Sequence, residues 1–331
     1  MPRNVRFHQV GGPEVLSLDE VTVPPPGKGE VRIRTKALGL NRAEAMFRTG
    51  EYVVDPVLPS GVGYEASGEI EAVGAGVDGL AVGDAVSVVP AFAMTDYAVH
   101  GELVIAPAHA VVKHPASLSW EEAAAVWMQF ITAYGGLIDL AQLKAGETVL
   151  IQAASSSVGQ AAIQIARMVG ARPVALTRTS AKRRPLLDAG ADEVIATAEE
   201  DVVARVRELT EGHGARVIFD PVAGPTLTDL TAAAAPHAII IIYGALSPET
   251  TPLSVMDVLG KHLTIRGYEL FEITLDDKRR QAAIDFVLDG LSRKALQPMI
   301  DTTFPIDDIV DAHLYLEAGS QVGKVVVTVP S

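Results

Sequence analysis

The stretch Thr148-Val149-Leu150-Ile151-Gln152-Ala153-Ala154-Ser155-Ser156-Ser157-Val158-Gly159 decides the fold. Thr148–Ala153 reads as a buried strand, and Val158–Val169 carries apolar residues at helical spacing. Between them lies a run of small residues. A strand, a tight turn and a helix in that order present backbone N–H groups and a helix N-terminus to an anion, which suits a dinucleotide pyrophosphate. Small side chains permit close approach, and Gly159 lets helix and strand pack tightly. A full G-x-G-x-x-G pattern would be stronger, because Ser156 and Ser157 stand where glycines are expected. Their hydroxyls, with that of Ser155, can still donate to phosphate oxygens. An ordinary strand-to-helix turn reads the same way, so the flanking sequence must decide.

Downstream, the strand Arg172–Thr177 runs into Arg178, Thr179, Lys182, Arg183 and Arg184. A ribose 2′-hydroxyl calls for Asp or Glu at this strand end, whereas a 2′-phosphate calls for cations and hydroxyls. There is no acid here. Arg178 and Lys182, with Thr177 and Thr179, are read as the phosphate site, and Arg183 and Arg184 as the solvated start of a helix. The expected cofactor is NADPH. Further pairs follow: a helix over Ala181–Ala189, a strand at Glu193–Ile195, a helix over Glu200–Glu211, a strand at Val217–Asp220, a helix from about Thr226, then strands at Ala238–Tyr243 and Leu263–Gly267. Repeated β-α-β units predict a doubly wound parallel sheet with helices on both faces. Tyr243, Gly244, Ala245 and Leu246 end the most apolar strand at its carboxyl side, where open α/β sheets hold ligands.

Upstream, to about residue 115, short alternating runs predict strands at Glu30–Ala37, Gly68–Gly74, Asp84–Val89, Thr95–Val99 and Leu103–Ile105, a small β-barrel or sandwich. Ser119 before Glu121 and Glu122 reads as a helix cap. After Tyr268 come a helix (about Leu275–Leu291), a strand near Thr302–Phe304, a helix (Ile306–Glu317) and a strand (Lys324–Val329), too little for a third core. The expectation is a β-rich domain of residues 1–120 and 269–331, interrupted by a dinucleotide-binding domain of residues 121–268.

Composition narrows the function classes. The 331 residues carry 27 Lys and Arg against 41 Asp and Glu, a formal charge of −14. So acidic a surface disfavours phosphate backbones and anionic lipid. No cysteine is present, which removes disulfides, thiol nucleophiles and Cys-ligated metals. The first residues lack the apolar core of a secretory signal, and the longest apolar stretches fall short of a roughly 18-residue span. A cytoplasmic protein without nucleic-acid or membrane partners is expected.

The order of modules resembles the medium-chain dehydrogenase/reductase superfamily, and most closely its zinc-independent quinone-oxidoreductase-like branch. Asn41-Arg42-Ala43-Glu44-Ala45-Met46-Phe47-Arg48-Thr49-Gly50-Glu51-Tyr52 is similar to that branch's N-R-x-(D/E)-x-x-x-R-x-G-x-Y. Gly63-Tyr64-Glu65-Ala66-Ser67-Gly68 resembles the superfamily's G-H-E-x-x-G, with tyrosine for histidine. Ile131-Thr132-Ala133-Tyr134 resembles L-T-A-Y, and Gly323-Lys324-Val325-Val326-Val327 the closing G-K-x-V-V. The resemblance implies a GroES-like catalytic β-barrel beside a Rossmann-type domain, and a homodimer formed through the edge strand Leu263–Gly267. It implies Asn41 and Thr132 near the nicotinamide, Lys324 as a further cofactor contact, and Tyr52 as proton donor. Asn41 and Tyr64 complete the expected catalytic set, with a plain Asx-turn former as the alternative reading of Asn41 and the substrate wall as the place of Tyr64.

With neither the cysteine nor the histidine of the superfamily's zinc enzymes, no metal is expected. Reducing an isolated ketone calls for a Lewis acid or a positioned acid, whereas a quinone or conjugated enone is already electrophilic. The reading is an NADPH-dependent reductase of quinones or α,β-unsaturated carbonyls. Two others stand beside it: an alcohol dehydrogenase or carbonyl reductase, and a weakly catalytic NADPH-binding sensor.

Overall fold

Thr148–Ile151 is a strand buried at every position, flanked in parallel by Arg172–Thr177 and Ala215–Asp220. The computed structural model describes residues 1–330, and in it this strand is one of six in a wholly parallel sheet. Glu193–Ala196 lies outside Arg172–Thr177, while Ala234–Ile242 and then Thr264–Gly267 lie beyond Ala215–Asp220. Numbered by appearance, the order is 3-2-1-4-5-6, the doubly wound arrangement expected from the sequence. Leu150, Val174, Leu176, Ile195, Ile218 and Ile240 belong to one buried cluster that includes Val206, Leu227 and Leu230 from covering helices. These residues form one compact unit, 129–297.

That unit holds more of the chain than the sequence suggested. The helix Asp277–Ser292 belongs to it, because Phe286 packs on Tyr134 with ring centroids 5.0 Å apart and Arg279 pairs with Asp139. Gln164 exchanges two hydrogen bonds with the backbone of Gln297. The chain rejoins the first unit at Pro298, not at residue 269.

The other unit comprises residues 1–128 and 298–331. Its central strand, Glu30–Gly39, pairs antiparallel with Glu65–Val73, Leu103–Pro107 and Lys324–Thr328, and Ile300–Pro305 adds in parallel to the last. Ala85–Val88 and Val111–Lys113 complete this sheet. A second sheet of Leu16–Glu20, Arg3–Phe7 and Ser60–Gly61 was not foreseen. The expected strand Thr95–Val99 is absent among the described residues: the N–H groups of Asp96 and Tyr97 fold back onto the Ala93 carbonyl, closing a turn.

The segment Trp120–Leu140 is helical over 21 residues and long enough to cross a bilayer, which the sequence reading did not register. Its most apolar window is 83% buried inside the protein, the environment of a core helix. Ser119 caps its start by accepting the Glu122 N–H, and Glu122 returns a bond to the Ser119 N–H.

Candidate functional site

The first constellation lies in the unit 129–297, at the carboxyl end of strand Thr148–Ile151. Ser156 is the N-cap of helix Ser157–Met168, with φ −68°, and its Oγ accepts the Gly159 N–H at 3.1 Å. Serine suits this position because the backbone is extended. The left-handed residue of the turn is instead Ala153, at φ +47°. Gly159 is required by space: a Cβ there would lie 2.6 Å from the Ala154 Cα. Lys182 Nζ donates to Ser155 Oγ at 3.2 Å. Val158 and Ser157 open the helix, so the first-turn N–H groups face the turn.

The four downstream cations separate by partner. Arg183 bonds the Val194 carbonyl at 2.7 Å and pairs with Glu200, and Arg184 pairs with Asp188 at 3.0 Å. Arg178 is exposed, and its guanidinium has no partner among the described residues. Thr177 is buried and Thr179 exposed beside it. A turn with a helix N-terminus, a closely packed glycine and an unpaired cation at the next strand end fits a phosphorylated dinucleotide.

Across the point where strand order reverses, Asp220 is fully buried and accepts the N–H groups of Val222 (2.7 Å) and Ala223 (3.1 Å). Burial raises its pKa, and those two donors oppose the rise. Tyr243 stacks on Phe219 at 3.9 Å, and burial holds its unpartnered hydroxyl well above the ordinary phenol range. Gly244, Ala245 and Leu246 follow it into solvent, the Leu246 N–H bonded to the Pro221 carbonyl. Asp220 escaped the sequence reading, although an acid followed by Pro221 at a strand end is a turn-capping signal. Thr132 is buried within helix Trp127–Tyr134.

The second constellation lies in the other unit. Asn41 caps helix Arg42–Thr49 in a capping box with Glu44. Its amide donates to the Gly39 carbonyl (3.1 Å) and Glu44 Oε1 (3.0 Å), and its oxygen accepts Lys324 Nζ at 2.6 Å. Lys324 also donates to Glu65 Oε1, and Glu65 Oε2 accepts the Met128 N–H at 2.9 Å. Glu44, Glu65 and Lys324 are each at most 1% exposed. Asn41 and Lys324, read from the sequence as cofactor contacts, thus direct their polar atoms at each other and at buried carboxyls. Burial pushes the Glu44 carboxyl up to about 8, against the pull of Asn41 and Lys324. Burial, reinforced by the Lys324 charge, pushes His100 down to about 3, so its ring is neutral.

Tyr64 stands over this cluster. Its N–H donates to Glu44 Oε1 at 3.2 Å, and its ring lies 6.0 Å from Phe92 and 6.4 Å from Tyr52. Burial, and to a lesser degree Tyr52, raises the Tyr64 pKa far above the ordinary phenol value. Tyr52 is half-buried at the start of a loop whose Val53 and Val57 are about three-quarters exposed (73% and 74%). The structure therefore gathers Asn41, Tyr52, Tyr64 and Lys324 in one unit, and the Ser155–Gly159 turn, Arg178 and Lys182 in the other. No three acidic or histidine side chains converge as metal ligands among the described residues.

Family matches cover parts of both units of the chain. Residues 157–289 match the family described as zinc-binding dehydrogenase, and residues 27–116 match the alcohol dehydrogenase GroES-like domain. Human quinone oxidoreductase is 32% identical over 319 residues, covering 96% of this chain and 94% of its own. The crystal structure of Escherichia coli quinone oxidoreductase complexed with NADPH superposes with a TM-score of 0.89 at 28% identity, over 98% of this chain and 99% of that one. A structure of an NAD-dependent alcohol dehydrogenase superposes equally well, with a TM-score of 0.89 at 32% identity over 99% of this chain and all of the other. The chain accordingly belongs to the quinone-oxidoreductase branch of the medium-chain dehydrogenase/reductase superfamily and is an oxidoreductase.

Proposed function

We propose that the protein is an NADPH-dependent reductase of quinones or α,β-unsaturated carbonyls that works without zinc. The observation carrying the cofactor choice is Arg178, an exposed and unpaired guanidinium at a strand end that lacks an acid. The phosphates lie on the Ser155–Gly159 turn, with Thr177, Arg178, Thr179 and Lys182 around the 2′-phosphate and Tyr243–Leu246 and Thr132 along the nicotinamide half. When bound, NADPH supplies a hydride. The protein's own part is to hold the acceptor and protonate it, and Tyr52 is the proposed donor because a half-buried phenol keeps its proton at neutral pH.

The structure of the alcohol dehydrogenase favours a second reading, oxidation of an alcohol or reduction of a simple carbonyl. NADPH consumption against 1,4-benzoquinone, an enone, an enoyl thioester and a simple ketone separates the two. Turnover confined to the ketone, or stoichiometric zinc in the purified protein, sinks the first. In the same preparation, Arg178→Ala weakens NADPH binding about ten- to a hundredfold, the loss of a charge-assisted bond worth roughly 1.5–3 kcal/mol, and leaves NADH binding unchanged. We further propose a cytoplasmic homodimer joined through strand Thr264–Gly267, which pairs on one side only, with Ala234–Ile242.

A further inference from the structure

We propose that Asp220 is a positioning residue for the cofactor: its buried carboxyl holds Ala223 in a strained conformation, and the turn so fixed carries the Tyr243–Leu246 segment that takes the nicotinamide half. The inference rests on the reading of that segment given above. Ala223 has φ +56° and ψ −137°, a region that suits glycine and strains a residue with a Cβ. Such a conformation persists only where its surroundings impose it. Here the imposing group is Asp220, which is fully buried. Its Oδ1 accepts the Val222 N–H at 2.7 Å and the Ala223 N–H at 3.1 Å, and its Oδ2 accepts the same Ala223 N–H at 3.2 Å. Thr226 Oγ1 holds the other side of the residue, donating to the Ala223 carbonyl at 2.9 Å.

The turn is joined to the cofactor segment by backbone bonds. The N–H groups of Tyr243, Leu246 and Ser247 donate to the carbonyls of Asp220, Pro221 and Val222, each at 3.0 Å. Two glycines let the chains touch. A Cβ on Gly244 would lie 2.9 Å from the Pro221 carbonyl oxygen, and one on Gly224 would lie 2.3 Å from Ser247 Oγ. The place of Gly244–Ser247 is thus set by the backbone of Pro221–Gly224, and that backbone is set by Asp220. An ionised carboxyl accepts at both oxygens, whereas an amide accepts at one atom and donates at the other. Whichever way an amide faced at position 220, its NH2 would meet the N–H of Val222 or Ala223, and the hold on Ala223 would weaken.

The test is Asp220→Asn, alone and with Ala223→Gly, because glycine takes φ +56° without being held. In the free protein we expect amide exchange at Leu246 and Ser247 to quicken about tenfold in Asp220→Asn. Exchange at Ala154, bonded to the Leu176 carbonyl in a different turn, stays at its wild-type rate. NADPH binds about tenfold more weakly, while adenosine 2′,5′-bisphosphate, which carries the 2′-phosphate and no nicotinamide, binds as before. Adding Ala223→Gly returns both exchange and NADPH affinity to within about threefold of wild type. If Asp220→Asn alone does not fold, Ala223→Gly is expected to restore folding, and a double variant that stays unfolded counts against the proposal. Unchanged exchange at Leu246 and Ser247, or no recovery with Ala223→Gly, overturns it. Faster exchange that recovers, with NADPH affinity unmoved throughout, instead removes Tyr243–Leu246 from the nicotinamide half and takes the positioning role with it.

Discussion

Lys324 brings one ammonium to a region with two fully buried carboxyls, those of Glu44 and Glu65. Taking the Lys324 and Glu65 charges out of water is costly, and the arrangement holds because the two are paired and hydrogen-bonded. Lys324→Met is therefore expected to destabilise the fold by about 3–5 kcal/mol, read as a lowered urea midpoint, because Glu65 is left buried without its cation. Adding Glu65→Gln to that variant should recover part of the loss. No recovery would mean that the lysine acts through packing. From the sequence, Lys324 reads as a residue reaching for a cofactor. Its true partner lies 259 positions away, a pairing that no local pattern encodes. Tyr52 and Tyr64 were legible as residues of the site, whereas the 6.4 Å approach of their rings follows from the fold and not from their spacing.

At the scale of single elements, the strand–turn–helix from Thr148 to Met168 was the most readable part of the chain. Its apolar run, small residues and helical spacing all specify the same local structure. The difference lies in where the turn needs conformational freedom. Ser156 is extended and acts as a cap, so a glycine is not needed there, while Ala153 takes the left-handed conformation. That geometry costs a residue with a Cβ roughly 1–2 kcal/mol, partly offset by its smaller entropy loss on folding. Ala153→Gly is expected to raise Tm by about 1–2 °C, measured by calorimetry. A lower Tm would place the strain elsewhere. The segment Thr95–Val99 shows the opposite limit: its alternation resembles a strand, but Asp96 favours a turn that brings the backbone back to Ala93.

For the whole molecule, the doubly wound sheet was legible because every strand lay beside its own helix pattern. The extent of the inserted unit was not, since helix Asp277–Ser292 is placed by contacts with Tyr134 and Asp139 far back in the sequence. The proposed dimer is a prediction at this scale. Beside the one-sided strand Thr264–Gly267, helix Val255–Lys261 exposes Val255 (55%), Met256 (78%) and Leu259 (62%), an apolar surface suited to a second copy. Sedimentation should give twice the 34.9 kDa chain mass, and Met256→Asp with Leu259→Asp should shift it to the single-chain value. A wild-type monomer at micromolar concentration would refute the pairing.

The 259 positions between Glu65 and Lys324 also order events during synthesis. The unit 129–297 is continuous, so all its strands are synthesised before Pro298 is added. The other unit must wait: Leu103–Pro107 covers Glu30–Arg34, but the Ala37–Gly39 end of that strand lacks its second partner until Lys324–Thr328 is made. The same late strand carries the cation that Glu65 needs. A nascent chain that stops before Lys324 lacks both the covering strand and the counter-charge, so this unit can close only once Lys324–Thr328 has been made.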